Sequence, residues 1–149
     1  MKRTITNLAE LRPNNFIIAS SSFDFEEDDV IKLVTINQFE GCYYTSIDDD
    51  KEIESLGDLG WVPSHLIHSI PLTEEWLLKF GFLAKNHSDN FKLGDIEIAS
   101  SVRVIATNER KSFYLDGEIP EWMKNRIESV HQLQNIYFAL TQEELTLIP

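Results

Sequence analysis

Two kinds of hydrophobic spacing divide the chain near residue 70. Before that point apolar residues come in short runs, at 16–19, 30–36, 42–47, 61–62 and 66–70, with polar turn-forming stretches between them. Runs of this length, rich in β-branched and aromatic residues, predict strands. Helical spacing is missing there apart from one turn over 8–11. Five short strands in about 65 residues cannot bury both faces of a flat sheet, so they are expected to curl into a small barrel.

After residue 70 the pattern changes. Thr73 is placed to cap a helix over 73–80, with Glu74 and Glu75 in the first turn, where the helix dipole favours negative charge, and Gly81 as a left-handed stop. Leu72 precedes the cap and can close against Leu77, while Leu72, Trp76 and Phe80 follow one another at four-residue steps. Strand-like pieces come next at 91–93, 96–99, 102–106 and 112–115. Gly94-Asp95 suits a two-residue hairpin, and Asn108-Glu109-Arg110-Lys111 suits a longer one. Asp116-Gly117 and Pro120 mark a further turn, and 122–127 reads equally as a strand or a brief helical turn. The last segment is a second helix. Ser129 with Gln132 matches a capping box, and Val130, Leu133, Ile136, Tyr137 and Leu140 form one apolar stripe. Thr141 with Glu144 repeats the capping pattern and predicts a break followed by a short turn ending at Leu145.

These elements predict an α+β fold. An SH3-like small β-barrel over 1–70 would pack on a C-terminal unit over 71–149, made of a helix, a β-meander and a final helix. Each half is small enough to be marginal alone, so a shared interface is expected.

Charge narrows the function classes. The 149 residues carry a net charge of −12, and residues 1–70 hold 5 Lys/Arg against 13 Asp/Glu while 71–149 hold 8 against 12. Phosphate backbones and anionic lipid surfaces are repelled on average, so direct nucleic-acid or membrane binding is not expected, and a basic protein partner suits the field better. Cys42 is the only cysteine, which excludes an internal disulfide and a cysteine-rich zinc site. With no apolar run of signal-peptide or membrane-spanning length, the expected product is soluble and cytoplasmic.

Candidate chemistry is sparse. No phosphate loop, dinucleotide glycine pattern or nucleophile elbow occurs, and Cys42 falls mid-strand. His65 and His68 are three apart without an evident third ligand, and His87 and His131 stand alone. No catalytic residue, metal or cofactor is therefore expected. Asp48, Asp49, Asp50, Glu52 and Glu54 offer oxygen ligands but lack the alternation and mid-loop glycine of an EF-hand, so a solvated hairpin tip is expected. The acidic stretch with Asp24, Glu26, Glu27, Asp28 and Asp29 is a candidate docking loop for a basic protein. His131, Gln134 and Asn135 lie at i, i+3 and i+4 opposite the apolar stripe, either as a polar recognition face or as ties to neighbouring backbone.

Gly60-Trp61-Val62-Pro63-Ser64-His65-Leu66-Ile67 resembles the closing segment of SH3 domains, in which such a run makes a 3-10 turn before the last strand. That resemblance implies a barrel and adds Trp61, Pro63 and His65 to the candidate partner-binding residues, although His65-Leu66 stands where SH3 domains carry Asn-Tyr. Three longer blocks, at residues 10–16, 70–82 and 131–145, resemble a family of small prophage and mobile-element proteins of the Bacteroidota. The family shows Ile-Gly where Pro13-Asn14 stands, Gly where Gln142 stands, and a shorter segment than residues 20–29. It implies no established reaction. Three functions are open: a non-enzymatic accessory protein that binds another protein, an acidic nucleic-acid mimic that occupies a basic cleft in a host defence enzyme, and a small enzyme of unrecognised type.

Overall fold

The structure, a computed structural model, describes residues 3–20, 29–37, 40–47, 58–85, 89–105, 108–117 and 126–149. Among them are ten strands in two antiparallel five-stranded sheets and two α-helices, an α+β arrangement. The chain divides into two compact units, Met1–Pro71 with Val130–Asn135, and Leu72–Ser129 with Ile136–Pro149. No helix among the described residues is long and apolar enough to cross a membrane.

The first unit is a curled sheet in the order β4-β3-β2-β1-β5, built from β1 (Phe16–Ala19), β2 (Asp29–Asn37), β3 (Gly41–Ser46), β4 (Gly60–Pro63) and β5 (Ile67–His68). A 3-10 turn at Ser64–Leu66 joins β4 to β5. Alternation along each strand sends Ile17 and Ala19, Ile31 and Leu33, Cys42, Val62, and Ile67 into one core. β2 pairs with β1 over 29–32 and with β3 over 31–37, and a bulge between Leu33 and Thr35 shifts the β2–β3 register and bends the strand. The N-terminal segment closes the outer edge of β5: Ile5 N–H donates to the Ile67 carbonyl at 3.0 Å, and Ser69 N–H to the Arg3 carbonyl at 2.8 Å. A second 3-10 turn, Leu8–Glu10, is capped by the Asn7 side chain, which accepts from Ala9 N–H, and Ile5, Leu8 and Leu11 complete the core. At Gly41 a methyl group would run into the Val62 carbonyl oxygen and come within 2.9 Å of Pro63 Cα, so β3 and β4 pair this closely only because that position has no side chain.

The second unit opens with α1 (Glu74–Lys79) and continues through β6 (Leu83–Ala84), β7 (Asn90–Leu93), β8 (Ile96–Ile105), β9 (Asn108–Asp116) and β10 (Arg126–Ile127), in the sheet order β10-β9-β8-β7-β6. Thr73 caps α1 by accepting from Trp76 N–H at 3.4 Å. The helix ends in a Schellman motif: Phe82 N–H donates to the Leu77 carbonyl, Gly81 N–H donates to the Leu78 carbonyl, and Gly81 has φ +84°. Leu72, Leu77, Phe80, Phe82, Phe91, Ile98, Phe113, Leu115, Ile127 and Leu145 are buried, and the Phe91 and Phe113 rings meet edge to face at 6.5 Å. Lys111 Nζ pairs with Glu74 of α1 at 2.5 Å.

The meander differs from the sequence expectation at one turn and agrees at another. Gly94-Asp95 does join β7 to β8, with Leu93 facing Ile96 and Gly94 at φ +56°. Residues 108–111, read as a hairpin, belong instead to β9, whose register with β8 runs from Ile105↔Asn108 to Glu97↔Asp116. Ser100 and Ser101 do not interrupt β8, since ladder hydrogen bonds use only the backbone. Within the ambiguous 122–127 segment Arg126–Ile127 forms a strand, and residues 122–125 lie outside the described residues, as do Pro120, His87, the acidic group 48–54 and residues 24–28.

Helix α2 (Val130–Thr141) departs from its expected cap. Ser129 occupies the N-cap position but makes no side-chain capping hydrogen bond. The entry is instead fixed by backbone, with Val130 N–H donating to the Ile70 carbonyl at 2.9 Å in the first unit and Leu72 N–H donating to the Glu128 carbonyl at 3.0 Å in the second. Burial concentrates on Val130, His131, Leu133 and Gln134, and Leu140 at the stripe's end is 39% exposed. The expected turn ending at Leu145 does not form, because the Thr141 hydroxyl accepts from Glu143 N–H while donating to the Tyr137 carbonyl, and Gln142 swings to φ +60°. Leu145 is nevertheless buried, and Ile148 N–H donates to the Lys79 carbonyl at 2.9 Å.

The only described non-glycine residues at positive φ are Asn14 (+69°) and Gln142 (+60°). A left-handed conformation costs an L-residue roughly 1–2 kcal/mol, and asparagine bears it better than glutamine. Gln142→Gly is therefore expected to raise stability by up to about 1 kcal/mol, and Gly81→Ala, which also places a methyl 3.1 Å from Ile148, to lower it by roughly 1–2 kcal/mol. Urea denaturation of the two variants beside the parent checks both signs.

Candidate functional site

Two features of the first unit gather the candidate residues. On its outer face, β3 and β4 align Tyr43 with Trp61. Their neighbours Cys42 and Val62 point into the core with no exposure, so alternation turns Tyr43 and Trp61 outward. The rings meet at 4.8 Å and 61°, an edge contact that favours the quadrupoles of both, and Trp61 stays 40% exposed. Pro63 follows two residues later on β4 and is half-buried, while His65 in the adjoining 3-10 turn is exposed. Asp29 is exposed at the start of β2, opposite Ala19. Asp24, Glu26, Glu27 and Asp28 lie outside the described residues. Tyr43 was absent from the sequence candidates; the signal for it was the alternation through Cys42-Tyr43-Tyr44, which becomes readable only once Trp61 is known to be its cross-strand partner.

The second feature is a clamp of amide side chains. Gln134 is fully buried; its Oε1 accepts from Phe16 N–H at 2.8 Å and its Nε2 donates to the Asn14 carbonyl at 2.9 Å. Asn135 Nδ2 donates to the Glu10 carbonyl at 2.8 Å, and its Oδ1 accepts from Asn15 Nδ2 at 2.9 Å. Asn15, itself buried, closes its own turn by accepting from Arg12 N–H at 2.9 Å. Of the three residues expected on the polar face of this helix, Gln134 and Asn135 tie to neighbouring backbone, His131 and Gln134 have no exposure, and Asn135 is half-buried. The physical reason is local. The 12–15 turn and the start of β1 carry N–H and C=O groups that the β1–β2 ladder does not reach, and two primary amides supply matching donors and acceptors.

His131 sits beside the clamp, its Nε2 4.0 Å from Glu10 Oε2, and Arg3 Nη2 donates to the same carboxylate oxygen at 3.2 Å. Burial, and secondly the Arg3 guanidinium, hold the imidazole down at about 4. The Glu10 carboxylate pulls the other way, but it is partly exposed and shared with Arg3, so desolvation prevails.

No protein-family model, curated protein or solved structure matches this chain.

Reactive chemistry finds little footing in these groups. Burial pushes the Cys42 thiol up to about 11, so it stays protonated near neutral pH, the reverse of an activated nucleophile. Among the described residues no group of three or more His, Cys, Asp or Glu is placed to hold a metal ion. His68 Nδ1 lies 3.2 Å from Thr4 Oγ1, within the bridge that closes β5. Glu97 is drawn below the usual carboxylate range by hydrogen bonds from Lys85 and Asn90, a surface ion pair across β6 to β8.

Replacing Gln134 with Leu strands the buried Phe16 N–H and removes a part-buried hydrogen bond to the Asn14 carbonyl, so a loss of roughly 1–3 kcal/mol is expected in urea denaturation. The His131 effect has a definite sign. Its folded pKa, about 4, lies below the unfolded value near 6.5, so its contribution is complete above pH 6.5 and is lost as pH falls toward 4. Between pH 7 and pH 4.5 the parent protein should lose about 2 kcal/mol more stability than His131→Gln, measured by denaturant titration at both pH values.

Proposed function

We propose that this protein is a non-enzymatic accessory protein of a mobile element, working in the cytoplasm by binding another protein through its N-terminal unit. The observation that carries this reading is the Tyr43–Trp61 pair, a large aromatic surface left open on a sheet whose other face is a filled core. A monomeric surface has little reason to hold a tryptophan in a fixed, half-open position, whereas contact sites concentrate such rings. The acidic residues 24–29 remain part of the proposal as the electrostatic handle that draws a basic partner.

An SH3-like barrel is the proposed form of that unit. Support comes from the strand order β4-β3-β2-β1-β5, with β5 back against β1, and from the 3-10 turn between β4 and β5 at the segment resembling SH3 domains. Membership of the mobile-element family is likewise proposed. It gains support from Asn14 and Gln142, the two left-handed residues, which stand where that family carries glycine. The net charge of −12 favours a second reading, a nucleic-acid mimic, which differs in its salt response.

In a pull-down from host or phage lysate, a specific protein is expected to be retained by the parent chain, and to be lost from Trp61→Ala and from a variant with residues 24–29 neutralised, both with unchanged thermal melting. Retention by both variants overturns the proposal. Competition by DNA, with affinity falling steeply between 50 and 200 mM salt, selects the mimic instead.

A further inference from the structure

In the second unit, and independently of the aromatic face of the first, we propose that the outer part of β8 takes up an extended segment of a protein partner. The segment adds as a strand along residues 101–105 and brings an acidic residue opposite Arg103. The ladder leads there. β8 and β9 pair without interruption from Glu97↔Asp116 to Ile105↔Asn108, but β7 reaches β8 only over 96–99, and β10 reaches β9 only at Phe113 and Tyr114. Past Ser100 and before Ser112, two strands therefore run on with no third strand among the described residues, and Val102 is 46% exposed.

Hydrogen-bond direction shows which groups this ribbon leaves open. Ser100 N–H donates to the Asp89 carbonyl at 3.1 Å, on the β7 side of the strand. Ladder groups alternate sides from one residue to the next, so the backbone N–H and C=O of Val102 and Val104 face that same edge, while those of 101, 103 and 105 bond to β9. Two β-branched residues at the pairing positions, with no proline and no bulge in this stretch, make a template for another strand. The opposite edge of the ribbon is less suited. Its pairing positions are Glu109 and Lys111, charged residues that discourage strand addition, and Lys111 is engaged with Glu74 of α1.

Charge selects what comes to the β8 edge. Arg103 holds the register position opposite Arg110, and like charges directly across a ladder weaken it. A carboxylate on the added strand opposite Arg103 offsets that repulsion, and β-branched residues on either side of it match Val102 and Val104. A second copy of this chain fits worse. Antiparallel pairing of β8 with its counterpart about Val102 sets Val104 against Ser100, whose N–H is already given to Asp89, and pairing about Arg103 sets that arginine against its own counterpart.

The test uses the full chain labelled with nitrogen-15 valine. The Val102 and Val104 amides are followed by NMR, each identified by its absence in Val102→Thr or Val104→Thr. The probe is a seven-residue peptide of threonines around a central valine-glutamate-valine, compared with the same peptide N-methylated at both valines and with one carrying lysine for glutamate. The first peptide is expected to slow hydrogen exchange at both amides, the lysine peptide to bind about fivefold more weakly, and the N-methylated peptide not to bind. Val102→Lys, which blunts the edge, and Val102→Pro, which removes an outward N–H that β9 does not use, should both lose the peptide with unchanged thermal melting. Unslowed exchange at Val102 and Val104, equal binding of either control peptide, or retention of the first peptide by Val102→Lys overturns the inference. Slowing that grows with protein concentration in the absence of peptide assigns the edge to a second copy and overturns it as well.

Discussion

The Phe16 N–H, buried at the start of β1, must find a hydrogen-bond partner, and the first unit depends on how this is done. The β1–β2 ladder ends at Phe16, and its continuation through Asn14 and Asn15 to Leu33 uses only part of the donors and acceptors in that turn. Gln134, 118 and 120 residues away, meets the Phe16 N–H and the Asn14 carbonyl, and Asn135 reaches the Glu10 carbonyl and the Asn15 side chain. An amide that answers one N–H and one C=O contributes little net energy but prevents a large loss, since each orphaned group would cost roughly 1–3 kcal/mol. Helix α2 therefore belongs to the N-terminal sheet over Val130–Asn135 by polar necessity as much as by the burial of Val130 and Leu133.

Two titratable groups lie inside the first unit. His131 is sealed beside the clamp and stays neutral, and Cys42 is sealed within the sheet core and stays a thiol. Both groups are sealed from solvent, while the outer face of β3 and β4 leaves an aromatic pair open.

Local signals in the sequence carried far where the physics is local. Thr73 and Gly81 bound α1 as their hydrogen-bonding and φ preferences require, and Gly94-Asp95 makes its hairpin. Strands β1 to β4 fall within a residue or two of their hydrophobic runs. The miss at 108–111 shows the limit: a polar run resembles a turn, yet strand backbone pairs whatever the side chains, so polarity alone could not separate β9 from a loop.

By itself the sequence determined the α+β character, the positions of α1 and of β1 to β4, and the acidic balance, because periodicity, capping and charge act over a few residues. Only the tertiary structure decided what the polar face of α2 is for. Whether Gln134 meets water or the Phe16 N–H depends on a contact 118 residues away, and no spacing rule spans that distance. The pairing of Tyr43 with Trp61 is of the same kind, since register across β3 and β4, and not adjacency in the chain, brings two rings together.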